Sequence, residues 1–165
     1  MIGADKEVAT QRIEEVFKDY VDTFDLDNKN IKLKYFHTLE VANISYEIAN
    51  LMNLSEEDKD LAKLIGYLHD IGRFVQIEKT KTFKDKNMDH ADYGVKVLFE
   101  EDLIRKFIDT NKYDEIIRKA IKNHNKYEIL DEVNDKEKLF ANIIRDSDKI
   151  DIFRVRKIYY NSVKY

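Results

Sequence analysis

From residue 8 to residue 153 the apolar side chains recur three and four residues apart, and no run alternates over a strand's length. That spacing lines them along one side of an α-helix, whereas a strand needs a period of two. Proline is absent and there are only four glycines, so few positions interrupt a helix. The expected fold class is therefore all-α, a bundle of about six or more helices.

The first helix is expected over roughly 5–24, carried by Val8, Ile13, Val16, Phe17, Tyr20, Val21 and Phe24. After the loop DLDNKN, a second over roughly 31–52 carries Leu33, Phe36, Val41, Ile44, Ile48 and Leu51. His37 lies on or beside that stripe and is expected to face inward. Ser55 followed by Glu56, Glu57 and Asp58 reads as a capped start. The third helix then runs through Leu61, Leu64, Ile65 and Leu68 to His69-Asp70, with Gly72 as its C-terminal stop. Adjacent side chains diverge by about 100° within a helix; at a terminus followed by glycine, both can aim at one point.

Residues 73–89, RFVQIEKTKTFKDKNMD, show no sustained period and read as a basic loop. Asp89 is the expected N-cap of a fourth helix running from His90 through Tyr93, Val97 and Leu98. A short apolar piece follows at 103–108, then a fifth helix over Tyr113–His124. The last opens at Asn134-Asp135 and passes through Leu139, Ile143, Ile144, Ile150 and Phe153. Its pattern is still helical at Tyr165, so the helix is expected to continue past residue 165. No Pro/Gly/Ser-rich linker divides the chain, and residues 1–165 are expected to form a single domain.

Composition narrows the functional classes. There is no apolar run near 18 residues, no signal-peptide pattern and no cysteine, which points to a cytoplasmic protein with no membrane span and no disulfide framework. A net charge of −4 and an isoelectric point near 5.6 argue against a broad nucleic-acid surface. A small anionic substrate needs only a local positive patch.

The four histidines, at 37, 69, 90 and 124, each fall on an expected helix or at its end, beside an apolar stripe. A buried imidazole without a partner costs on the order of 1–3 kcal/mol. Singly, each is most simply a core histidine that has found a hydrogen bond. Jointly, and with carboxylates at Asp70, Asp146, Asp148 and Asp151, they suggest a metal centre. Mixed imidazole and carboxylate donors without cysteine suit Mn, Fe, Co, Ni or Zn, and Mg remains open.

The segments FHTLEVA, YLHDIGRF, MDHADYG, IKNHNK and IIRDSDKIDIF, in this order, resemble the HD-domain family of metal-dependent phosphohydrolases. The resemblance spans about 33–153 and implies an all-helical core. It implies His37, His69, Asp70 and a late aspartate as ligands of one divalent ion. Asp148 is preferred for the last position and Asp146 is the alternative; the two differ by about 200° around a helix and cannot share an ion. Asp151, one turn on, is placed to orient a ligand. His90 and His124 are implied to bind a second ion or to contact substrate phosphate, with Asp70 bridging if two ions are present.

Arg73 stands where the family most often has lysine and is expected to contact phosphate, its plainer reading being a surface charge. Lys79, Lys81, Lys84 and Lys86 read first as solubilising residues. The resemblance implies hydrolysis of a phosphoester by metal-activated water, with Asp70 as a catalytic residue that holds the ion and helps to remove the proton, the substrate being a small nucleotide or phosphomonoester. The alternatives are an HD-fold regulatory module that binds metal or nucleotide without turnover, and a plain helical interaction domain.

Overall fold

A computed structural model describes the backbone of residues 2–129 and 131–163 and the side chains of residues 11–129 and 131–158. Val8, one of the expected core positions, thus lies outside the described side chains. Among the described residues the chain is helical, without strands. The helices are α1 (Ile2–Val21), α2 (Lys29–Leu51), α3 (Glu56–Leu68), α4 (Ile71–Thr80), α5 (His90–Val95), α6 (Ile104–Phe107), α7 (Asp114–Asn123) and α8 (Asp135–Val163). A π-helical turn, Lys96–Glu100, extends α5. No helix among the described residues is long and apolar enough to cross a membrane.

The starts expected from sequence are capped as side-chain chemistry requires. Ser55 accepts from the Asp58 amide and Asp89 from those of Ala91 and Asp92. Asn134 and Glu137 form a reciprocal box at α8: the Glu137 amide donates to Asn134 Oδ1 (2.8 Å) and the Asn134 amide to Glu137 Oε2 (3.0 Å).

Two expectations are corrected. Residues 73–80 are not loop but most of α4, which buries Phe74, Gln76 and Ile77 behind Ile71. It follows the His69-Asp70 joint without a capping signal, and a buried polar Gln76 interrupts its apolar stripe. Gly72 is consequently no helix stop. It sits in the first turn of α4, where a Cβ would stand 2.1 Å from the His90 carbonyl oxygen and 2.5 Å from the Gly94 nitrogen. Glycine is required there because the α5 backbone passes against it. The reversal after α4 falls instead at Lys81, in the left-handed region with φ 58°.

The buried face of α2 also differs from the expected stripe. Leu33, Phe36 and Leu51 are exposed, whereas Ile31, His37, Thr38, Val41, Ala42, Ser45 and Ala49 are buried. Small side chains outweigh large ones because α3 comes very close: a Cβ on Gly66 would lie 2.5 Å from the Ala42 Cα. Hydrophobicity alone does not mark such a face.

An aromatic cluster locks α1 over the start of α4. Phe74 meets Phe17 and Tyr20 edge-on, at 6.1 and 6.0 Å between centroids. The Tyr20 hydroxyl donates to the Ile71 carbonyl (3.0 Å). The α3–α4 joint, which holds His69 and Asp70, is thereby fixed from below.

Candidate metal centre

His69 ends α3 in helical conformation, and Asp70 (φ −106°, ψ 17°) forms the joint to α4. The break lets the two neighbouring side chains converge. His37 arrives from the middle of α2, Asp148 and Asp151 from one face of α8, His90 from the first turn of α5 and His124 from the end of α7. All four imidazoles and Asp70 are buried.

The donor atoms fall into two groups that share Asp70: His37, His69, Asp70 and Asp148, and Asp70, His90 and His124. In the first, His37 Nε2 lies 2.9 Å from Asp148 Oδ1 and 3.6 Å from Asp70 Oδ2. His69 Nε2 lies 3.4 Å from each of those oxygens. In the second, His90 Nε2 and His124 Nε2 are 3.0 Å apart and each 3.4 Å from Asp70 Oδ1. One oxygen of Asp70 faces each group. Asp146, the alternative late aspartate, is exposed and belongs to neither.

Every imidazole is held from behind through Nδ1. His37 Nδ1 pairs with Asp151 Oδ2 (2.6 Å) and His90 Nδ1 with Asp85 Oδ1 (2.8 Å). His69 Nδ1 donates to the Gly66 carbonyl (2.7 Å) and His124 Nδ1 to the Ile121 carbonyl (2.6 Å). An Nδ1–H bonded outward leaves the Nε2 lone pair for the interior, the arrangement a metal-ligating histidine needs.

This donor set fits a divalent cation. Adjacent ligands about 2.1 Å from a common ion lie roughly 3.0–3.4 Å apart, close to the separations here. His69 Nε2 is fully buried and has no hydrogen-bond partner, a costly state for an atom at the centre of the cluster.

Electrostatics point the same way. Burial opposes charging His69, but Asp70 and Asp148 outweigh it and raise its pKa to about 10. Carboxylates that draw a proton this strongly also draw a metal cation, which competes with it. Burial likewise opposes ionising Asp70, yet Lys34, His69 and His124 hold it well below the usual carboxylate range. Burial instead dominates at His90 and lowers it to about 4, leaving a neutral imidazole.

The HD domain model matches residues 35–152, most of the chain. The chain belongs to the HD domain family. Neither the curated proteins nor the solved structures returned a match. HD membership carries the superfamily's character, metal-dependent hydrolysis, and the two His/Asp groups could hold a metal ion.

Lys34 reaches the HD site without having been expected there, and Arg73, expected there, lies beside Asp70. Lys34 Nζ is 2.9 Å from Asp70 Oδ2 and lies over the Phe83 ring. It stands one helical turn before His37, so the signal was present in the i, i+3 spacing. Arg73 is anchored through Nη1 to Gln76 Oε1 and the Phe83 carbonyl (both 2.7 Å), while its buried Nε has no hydrogen-bond partner and lies 4.0 Å from Asp70 Oδ1. Lys79, read first as a solubilising residue, donates to the Tyr93 hydroxyl (2.7 Å), outside both His/Asp groups.

Proposed function

We propose that this protein hydrolyses a phosphoester of a small anionic substrate, a nucleotide or a phosphomonoester, with two divalent ions sharing Asp70. The supporting observation is the carboxylate itself: Oδ2 faces His37, His69 and Asp148 at one side, and Oδ1 faces His90 and His124 at the other. Ions bound there would supply positive charge beside the phosphoryl oxygens and a water acidic enough to deprotonate near neutral pH.

The rest falls to the chain. Asp70 is held ionised, so its two oxygens would hold an ion in each of the two groups. Lys34, 14% exposed beside Asp70, offers an ammonium at the site's edge. The free Nε–H of Arg73 is a donor already desolvated and aimed near Asp70, suited to one phosphoryl oxygen. Burial of the imidazoles excludes bulk water, which strengthens every charge interaction at the centre.

The test is hydrolysis of a panel of nucleotides and phosphomonoesters by chelator-stripped protein, before and after adding Mn, Co, Ni, Zn or Mg. Activity should appear with at least one metal and be absent from Asp70→Ala under every condition. Metal-induced thermal stabilisation without turnover on any substrate would instead favour a regulatory module.

A further inference from the structure

The two groups are supported alike but not equally. Each has one imidazole backed by a carboxylate, His37 by Asp151 and His90 by Asp85, and one backed by a helix carbonyl. Asp151 is fully buried on the long helix α8. Asp85 lies on an exposed connection and is 35% exposed. What holds Asp85 in place therefore decides where His90 points.

That holding is unusually concentrated. Asp85 Oδ1 receives His90 Nδ1 (2.8 Å), the His90 amide (3.3 Å), Gln76 Nε2 (2.8 Å) and Arg73 Nη1 (3.3 Å). Gln76 is completely buried on α4, and its amide also reaches the Met88 carbonyl (2.8 Å) and the Lys84 carbonyl (3.3 Å). At the far end Asp89 caps α5 and binds Asn125 Nδ2 (3.1 Å) and Lys126 Nζ (2.6 Å), the two residues after His124. The connection thus folds back along α4 from the left-handed Lys81 and is pinned at the His90 imidazole and at the two residues that follow His124.

We infer that the 81–89 connection is the positioning device for the second ion, with Asp85 orienting His90 and buried Gln76 holding Asp85. This rests on the two-ion reading. The second ion is then the weaker and more exchangeable of the two, because its support rides on an exposed segment instead of a buried helix. Coupling between binding and ordering is reciprocal, so the ion in turn orders the connection.

The test uses the full chain, stripped with chelator and titrated with Mn2+, counting bound ions by electron paramagnetic resonance, in which a coupled Mn pair differs from a lone ion. Wild type should bind two ions, the second more weakly. Asp85→Ala should lower the second affinity about 10–100-fold while leaving the first unchanged. Asp85→Asn, which keeps an acceptor oxygen, should lose less, and Gln76→Met should fall between. Trypsin cleavage after Lys84 and Lys86 should slow only at Mn2+ concentrations that fill the second position, and in Asp85→Ala that protection should need correspondingly more Mn2+. Wild type binding two ions and Asp85→Ala binding both with wild-type affinity overturns the inference alone. A loss shared equally by both ions assigns Asp85 a general structural role and also overturns it. A wild-type chain that takes a single ion overturns the two-ion reading itself, and the inference with it.

Discussion

Gly72→Ala isolates how the backbone sets the metal centre, because the change adds one methyl group where two helices nearly touch. The new Cβ would stand 2.1 Å from the His90 carbonyl oxygen and 2.5 Å from the Gly94 nitrogen. Both are backbone atoms, so no rotamer change relieves the clash. The α5 backbone must retreat by about 1 Å to regain van der Waals contact. The helix itself gains roughly 0.5–1 kcal/mol from alanine, but forced overpacking costs typically 1–3 kcal/mol or more. A net loss of about 2 kcal/mol is expected, a fall in melting temperature of roughly 4–8 °C for a domain of this size. His90 moves with the retreating backbone, so the second ion should also bind more weakly. Gly94→Ala is the control: its nearest contacts are at 3.5 Å, and it should be neutral or stabilising. Urea unfolding and Mn2+ titration read both effects. A Gly72→Ala protein with wild-type stability and wild-type binding of the second ion would refute the steric reasoning.

Other perturbations separate the parts of the molecule. Asp151→Ala should weaken the first ion about 10–100-fold and leave the second in place, the mirror image of Asp85→Ala, checked by the same titration. Phe74→Ala, fully buried against Phe17, Tyr20 and Phe24, should cost about 3–5 kcal/mol in urea unfolding. Burial opposes ionising Asp89, but Lys126, the Asp92 amide and Asn125 outweigh it and hold it at about 2. Its stabilisation is therefore complete above the unfolded carboxyl pKa of 3.8 and lost as pH falls toward 2. Asp89→Asn should flatten the acid limb of a stability–pH curve in that window. Saturating metal at about 100 times its dissociation constant should raise stability by about 2.7 kcal/mol over the stripped protein, read as a melting shift that Asp70→Ala lacks.

What could be read from sequence divides along physical lines. The helices announced by caps or long stripes, α3, α5, α7 and α8, start where Ser55, Asp89, Tyr113 and Asn134 indicate. Four histidines and two aspartates were legible as a set because the ordered motifs around them resemble the HD family and each histidine falls beside an apolar stripe. The preference for Asp148 over Asp146 came from the resemblance of SDKID to the family's ending, angular separation showing only that the two cannot share an ion, and Asp148 is the one beside His37 and His69. Helix α4 was illegible because it begins at the doublet without a capping side chain and spends an interior position on Gln76. Gly72 could be read as a helix stop or as a close approach, and only the path of α5 decides between them. Asp85 and Gln76 were missed altogether. They pair across connections with no periodicity, and their meaning exists only once His90 has a position.

The most direct measurement is anomalous diffraction from crystals of the full chain loaded with Mn2+. Two peaks are expected, one among His37, His69 and Asp148, the other between His90 and His124, both within bonding distance of the Asp70 carboxylate. No peak beside Asp70, or ions bound only elsewhere on the surface, would contradict the shared two-ion centre.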